Sequence, residues 1–187
     1  MIIELSEAKK IDQKVEQSDL NALETMIRNI THNPFIDASV QSTGFVVSND
    51  YNLTFANDDG IKYLRAGDTV MLAYTTTTDS NGKPVNDGLY VVESVDGNTV
   101  TIKSDVPLFN EQHIQGMLAK VSYPDDILAG VKKLLAYNVA TAENIGVKSR
   151  TISRMSETFV DLNAGDNNNG YPSAMLNFLK KYTKMRW

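Results

Sequence analysis

The sequence predicts an α+β protein in which a helical domain, built from both chain ends, carries an inserted β domain. Apolar residues recur at helical spacing near both ends of the chain, whereas residues 38–121 alternate with a period of two between turn residues. Charge divides in the same way: residues 38–121 contain 10 acidic and 5 basic residues, against 13 of each elsewhere. We therefore expect one domain from residues 1–37 and 122–187, and a second from residues 38–121.

The helical domain is predicted to be a small bundle of about four helices. The first begins with Ser6 as its cap, and the second begins at Ser18 and ends before Pro34. The third begins at Pro124 and the fourth at Pro172, because a first helical residue does not need its N–H. The predicted buried stripes of the last three helices are Leu20, Leu23, Ile27 and Ile30; Ile127, Leu128, Val131, Leu134 and Leu135; and Met175, Leu176, Leu179 and Tyr182.

The inserted domain is predicted to be a small β-barrel or sandwich. Six segments rich in β-branched and aromatic residues read as strands: 44–47, 52–55, 69–74, 89–92, 99–102 and 117–121. Asp96-Gly97 predicts a tight hairpin, because glycine adopts the positive φ angle that such a turn needs. Residues 65–70 and 86–92 look like the entry and second strand pair of an SH3-like barrel, with an exposed loop at 75–85 between them.

Residues 123–159, YPDDILAGVKKLLAYNVATAENIGVKSRTISRMSETF, resemble the head–tail connector (adaptor) proteins of tailed bacteriophages. In that family a helix started by proline, with a leucine-rich face, is followed by a glycine, a serine-rich turn similar to G-x-x-S-x-x-I-S, and a short extended piece. IIELSEAKK and SDLNALETMIRNIT look like the family's first two helices, and YPSAMLNFLKKYTKMRW looks like its closing helix and tail. The resemblance covers about 100 residues in two blocks. The small helical members lack the insert, but strand-rich inserts occur in some larger members.

The resemblance implies a structural virion protein that takes part in head completion after DNA packaging. Such a protein forms a homo-oligomeric ring, which the family implies to be dodecameric, between the portal protein and the stopper or tail-completion protein. DNA would pass through the lumen without sequence-specific binding. The expected location is the head–tail interface of the virion, after synthesis in the cytoplasm of a bacterial host.

The resemblance also implies which residues make contacts. The C-terminal segment, with cations and apolar anchors, is expected to bind the portal through Lys180, Lys181, Lys184, Met185, Arg186 and Trp187. Ser149, Arg150 and Arg154, in the predicted turn, are expected to contact a neighbouring subunit. From the residues alone, the same basic segment also fits a nucleic-acid patch, or a solvated helix end whose cations match the helix dipole.

Several classes of function find no support in the sequence. There is no cysteine, and neither GxGxxG nor GxxxxGK[ST] occurs, so we expect no thiol chemistry, no nucleotide chemistry and no cofactor. His32 and His113 are expected to be surface or capping residues, and the chain is not expected to be an enzyme. Asp79 and the pairs Asp58-Asp59 and Asp125-Asp126 offer the oxygen ligands that Mg²⁺ or Ca²⁺ would need, but no metal is expected.

Hydropathy and charge further limit the expected location and function of the protein. No apolar run is long enough to span a bilayer, and the opening residues are too acidic for a signal peptide, so an intracellular origin without membrane contact is expected. The acidic insert argues against a domain that grips DNA. The alternative to a connector is an SH3-like binding module on a helical support, acting as a general protein or nucleic-acid adaptor. A portal or major capsid gene beside this one would favour the connector.

Overall fold

A computed structural model describes residues 2–57, 59–142, 149–152, 155–158, 167–168 and 170–185. The chain divides into two compact units. The β unit contains Pro34–Ser122, and the helical unit contains Ile2–Asn33 and Tyr123–Trp187. The protein thus combines helices with a six-stranded antiparallel sheet.

The β unit is a closed antiparallel sheet with the strand order β1-β2-β5-β4-β3-β6. Its strands are β1 (Ile36–Ser48), β2 (Asn52–Phe55), β3 (Thr69–Ala73), β4 (Gly88–Asp96), β5 (Thr99–Lys103) and β6 (Gln112–Val121). The six predicted strands are confirmed. Strands β1, β4 and β6 extend well beyond the predicted bounds, because their polar ends continue the ladders beyond the apolar alternation, as in the pairing of Val46 with Gln112.

The core of the β unit lies inside this closed sheet. Apolar side chains from the strands fill this interior, and Leu53, Val70, Val100 and Leu118 are fully buried. The predicted hairpin at residues 96–99 is confirmed: Asp96 pairs with Thr99, and Gly97 carries the positive φ of 54°. Most of the 75–85 loop is exposed, as expected, although Thr75 at its start is buried.

The helical unit contains α1 (Leu5–Ala8), α2 (Gln17–Thr31), α3 (Asp125–Thr141) and a C-terminal 3₁₀ helix (Ser173–Tyr182). The 3₁₀ helix packs against α2 and α3. Gly130 of α3 permits close packing, because a Cβ built there would lie 2.3 Å from the Phe178 ring. The predicted stripes are buried at their centres: Leu20, Leu23, Ile27, Ile127, Val131, Leu134, Leu135, Leu176 and Leu179.

The predicted helix starts needed correction. Glu4, not Ser6, precedes α1, and the Ser6 hydroxyl donates to the Glu4 carboxylate over 3.3 Å. Helix α2 begins one residue before Ser18, since Glu16 and Asp19 form a reciprocal capping box. Pro124 is the residue before α3, and Pro172 is the residue before the 3₁₀ helix, so neither is a first helical residue. In each case the hydrogen bonds of the first turn, which periodicity does not reveal, set the boundary.

Between α3 and the 3₁₀ helix, the described residues form two short antiparallel strand pairs. Strand β7 (Ser149–Ile152) pairs with β8 (Met155–Thr158), and β9 (Asn167–Asn168) pairs with β10 (Tyr171–Pro172). The stretch predicted as a serine-rich turn therefore begins with a strand. In this strand pair Ser149 lies opposite Thr158 and Ile152 lies opposite Met155, so backbone hydrogen bonds between β7 and β8 favour the extended conformation.

Candidate functional site

The C-terminal segment predicted to bind a portal is tied to the start of α3. The Lys181 ammonium forms an ion pair with the Asp126 carboxylate, to which the Tyr182 hydroxyl also donates. These contacts lower the pKa of Asp126: the hydrogen bond from Lys181 has the largest effect, and that from Tyr182 the next largest. The same contact with Asp126 raises the pKa of Lys181. Lys181 is therefore engaged within its own unit.

The end of this segment is also held by backbone contacts. The Lys184 N–H donates to the Thr31 carbonyl at the end of α2 over 2.8 Å, and the Asn33 amide donates to the Tyr182 carbonyl over 3.3 Å. Lys180 and Lys184 are exposed, and Met185 is 80% exposed. These three side chains are presented at the surface, while the predicted contacts Arg186 and Trp187 lie outside the described residues.

The three residues predicted to contact a neighbouring subunit are only partly described. Ser149 and Arg150 lie on β7, where they pair with Thr158 and Glu157 of β8. Arg154 lies outside the described residues. Ser149 and Arg150 therefore belong to a hairpin, whereas the sequence placed them in a turn.

A groove of about 480 Å³ lies on the helical unit beside α2 and α3. Its apolar wall includes Val15, Met26 and Leu135, and Asp12 and Asp19 add negative charge. At one side the Asn138 amide donates to the Tyr171 hydroxyl over 2.9 Å, and both residues line the groove. Sequence reasoning missed this groove because Val15, which is 3% exposed, stands alone among charged residues.

The helical unit also encloses a carboxylate that the sequence did not single out. Glu24 is 3% exposed, and its two oxygens accept hydrogen bonds from the Ile2 N–H over 3.1 Å and the Tyr123 hydroxyl over 2.8 Å. Burial, and then the negative charge of Glu24, raise the pKa of Tyr123. This arrangement joins the beginning of the chain, α2 and the residue before Pro124.

His113 is fully buried in the β unit, so the expectation of a surface or capping histidine is wrong for this residue. Its Nε2 lies 3.0 Å from the Asn86 amide nitrogen. Its Nδ1 lies 3.1 Å from the Thr76 hydroxyl and 3.2 Å from the Thr76 backbone nitrogen. Burial lowers the pKa of His113, although Glu111 and Asp87 oppose this effect. The surrounding sequence, EQHIQG, is polar and gives no sign of burial. His32, in contrast, is the exposed C-cap of α2, as expected.

A second concave surface lies on the β unit beside β1, β2 and β6. It has a volume of about 360 Å³, and its lining includes Phe45, Val46, Phe55 and Ile114. Ile114 is 75% exposed and Val46 is 42% exposed. The sheet therefore presents apolar side chains to solvent at this point.

Two of the carboxylates that could bind a cation instead contact groups close to them in the sequence. Asp79 accepts the N–H groups of Asn81 and Lys83 within its own loop, and Asp59 pairs with Lys62 over 3.6 Å. Asp58 lies outside the described residues. Within the described part of the chain, no group of three or more metal-ligating side chains comes together.

Two further findings bear on function. Among the helices of the described residues, none combines the length and the apolar character needed to cross a bilayer. No family model matches the chain, and no relative was found among curated proteins.

Proposed function

We propose that the protein is a head–tail connector of a tailed bacteriophage. The observation that carries the proposal is that the two sequence blocks of the resemblance, from opposite chain ends, belong to one compact unit. Within that unit, the C-terminal 3₁₀ helix packs against α2 from the first block and α3 from the second. The two blocks therefore belong to one folded unit, which supports the proposal because a connector subunit would use residues of both blocks together. In this proposal the unit is a small helical bundle and the β unit is an SH3-like insertion.

The connector would act as a structural part of the virion. Subunits would form a ring, twelve by analogy with the family, seated between the portal and the stopper or tail-completion protein. The proposed contacts with a neighbouring subunit are Ser149 and Arg150 of β7 and, four residues after Arg150 in the sequence, Arg154. An excess of acidic residues in the insert would disfavour binding of passing DNA, because DNA-binding surfaces neutralise phosphates with cations.

Attachment to the portal is proposed to use the exposed end of the chain. Lys180 and Lys184 supply charge and Met185 supplies apolar area, and Arg186 and Trp187 follow them in sequence. Lys181 has a different role in this proposal: it holds the 3₁₀ helix to α3 through Asp126, and so positions the segment that docks. Truncating a buried anchor residue commonly costs about 2 to 4 kcal/mol of binding free energy.

The test is co-sedimentation with rings of the portal protein encoded in the same genome, followed by imaging of the complex. We expect closed rings of full-length protein on the portal. Deleting residues 184–187 should abolish stable attachment, while circular dichroism stays unchanged because this segment adds little to the core. The double variant Lys180→Ala/Lys184→Ala should also bind more weakly.

A matched control separates specific docking from a general effect of charge. The variant Lys9→Ala/Lys10→Ala removes two exposed cations from the same unit and should bind the portal like the unchanged protein. If the full-length protein never binds portal rings, the connector assignment is wrong. If it binds and the truncated protein binds equally well, attachment lies elsewhere on the molecule.

A second candidate is an SH3-like module on a helical support, acting as a general protein or nucleic-acid adaptor. The exposed apolar side chains Val46 and Ile114, beside the concave surface of the β unit, favour it. In this case Ile114→Asp would abolish binding of the partner, whereas deletion of residues 184–187 would leave that binding unchanged. The connector predicts the opposite pattern for portal binding.

A further inference from the structure

The contact between His113 and Asn86 suits a neutral imidazole. The Asn86 amide is oriented by the backbone of Phe109: its oxygen accepts the Phe109 N–H over 2.9 Å, and its nitrogen donates to the Phe109 carbonyl over 3.0 Å. The second N–H of that amide is left to face His113 Nε2, so Nε2 has to accept. The imidazole proton then lies on Nδ1, where the Thr76 hydroxyl, 3.1 Å away, is its acceptor. The Thr76 N–H also faces Nδ1 over 3.2 Å, so in this tautomer the hydroxyl alone bonds the ring to the loop.

A second proton on this ring would disrupt the contacts. It would place an N–H on Nε2, directed at the Asn86 amide nitrogen 3.0 Å away, so two donors would face each other. Turning the Asn86 amide over would remove this conflict, but it would break both hydrogen bonds to Phe109. In a fully buried position neither conflict is relieved by solvent.

These hydrogen bonds join two surface segments. One is the 75–85 loop, which contacts His113 through Thr76, and the other is the 104–111 segment, which contacts Asn86 through Phe109. Within the described residues, His113 and Asn86 form a continuous polar link between the two segments. Each segment is associated with an exposed aromatic side chain: Tyr74, just before the 75–85 loop, is 68% exposed, and Phe109, within the 104–111 segment, is 59% exposed.

Nearby charges do not reverse the preference of His113 for the neutral form. Asp87 and Glu111 are the acidic groups that favour a protonated His113, but burial outweighs them and lowers the His113 pKa. The Asp87 carboxylate is already committed, because it accepts the Thr75 N–H over 2.9 Å and the Thr75 hydroxyl over 2.6 Å. It also accepts the Tyr74 N–H, which holds Tyr74 at a positive φ of 60°.

We propose that His113 is a proton-controlled latch, which in its neutral state holds the 75–85 loop against the 104–111 segment and on protonation releases both. Release would alter how Tyr74 and Phe109 are presented to a partner. The latch belongs to the β unit alone, and it operates whether or not the protein is a connector. It predicts a local conformational change in mildly acidic solution, without general unfolding.

The test follows the full-length protein between pH 7.5 and pH 5. Imidazole nuclear magnetic resonance gives the titration of His113, and His32, the other histidine of the chain, supplies an exposed reference signal. Hydrogen exchange, expressed as protection relative to an unstructured chain, reports opening of each segment. We expect protection in residues 75–85 and 104–111 to fall as His113 is protonated, by about tenfold for each unit by which its pKa lies below that of the open form.

Two variants make the result specific. His113→Gln has no titrating group, so protection of the two segments should no longer change with pH. Asn86→Asp places a carboxylate next to Nε2, so the His113 pKa should rise above its ordinary value. The latch is overturned if protection in the two segments stays constant through the His113 titration, or if His113→Gln retains the pH dependence. Equal loss of protection in all six strands would also overturn it, since that pattern is general unfolding.

Discussion

At Gly60 the backbone of the β unit leaves no room for a side chain. Its φ is +81°, a conformation that residues with a Cβ rarely adopt, and a Cβ built there would lie 1.9 Å from the Gln41 carbonyl oxygen of β1. The obstacle is backbone rather than the end of a flexible side chain, so relieving it would require β1 to move. A single missing methyl group thus allows the turn after β2 to pack against β1.

We predict that Gly60→Ala destabilises the β unit strongly, and Gly67 supplies the matched control. Gly67 also has a positive φ, of +90°, but nothing lies within 4 Å of its Cβ position, so Gly67→Ala tests backbone strain alone. That strain costs about 1 to 2 kcal/mol, and overpacking adds about 1 to 3 kcal/mol at Gly60. Chemical denaturation monitored in the β unit measures both changes. Equal losses for the two variants would contradict the close contact with Gln41.

At the scale of the elements, sequence periodicity predicted which face of a helix or strand is buried, because this property depends on residues close together in the sequence. The apolar stripe of α2 and the alternation of β3 each identified buried side chains, because one face of each element is enclosed. Contacts between residues far apart in sequence were not predictable. Lys181, which the resemblance gives as a portal contact, also pairs with Asp126, a contact that its sequence position does not reveal. His113, expected at the surface, is enclosed by the 75–85 loop and Asn86.

The same limit applies to the candidate site. Composition indicated that the end of the chain is basic and contains apolar anchors, and Lys180, Lys184 and Met185 are exposed as docking requires. The groove beside α2 and α3 was missed, because Val15 and Tyr171 are brought to it by folding rather than by spacing. The sequence favoured a barrel or a sandwich, but it did not show which strands close the sheet, since β1 and β6 lie at opposite ends of that unit.

The ion pair between Asp126 and the 3₁₀ helix predicts an acid-sensitive contact. The Asp126 pKa is lowered by Lys181 and Tyr182, so the folded helical unit holds fewer protons than the unfolded chain. Its stabilising effect is therefore present above the unfolded pKa of about 3.9, and is lost as the pH falls below that value. We expect Asp126→Asn to lower the stability at neutral pH and to weaken its decline between pH 5 and pH 3.

Asp125→Asn is the matched control for this experiment. Asp125 is exposed, lies next to Asp126 at the same end of α3, and its replacement removes the same charge from the helix dipole. Urea unfolding, followed by the helical signal in circular dichroism, gives the free energy of unfolding of each variant at each pH. A pH dependence in Asp126→Asn equal to that in Asp125→Asn would show that the contact with Lys181 contributes nothing.

At the scale of the whole molecule, the chain leaves the helical unit once and returns to it once. The outgoing and returning segments meet at the start of the β unit, where Ile36 pairs with Val121 and the Ser122 N–H donates to the Phe35 carbonyl over 2.9 Å. Paired residues of antiparallel strands lie about 5 Å apart. The β unit is therefore joined through two neighbouring points, as expected of an inserted domain that keeps its own core.

We predict that the helical unit folds without the β unit. Replacing residues 38–121 with a short Gly/Ser linker should be tolerated, since the two attachment points are close enough for a few residues to span. The helical core, including Leu20, Ile27, Val131 and Leu134, remains complete in this variant, as does the contact between Glu24 and Tyr123. Circular dichroism should show the helical signal retained with cooperative thermal unfolding, and the isolated segment 34–122 should fold as a β protein. Loss of the helical signal together with the strand signal would mean that the two units stabilise each other.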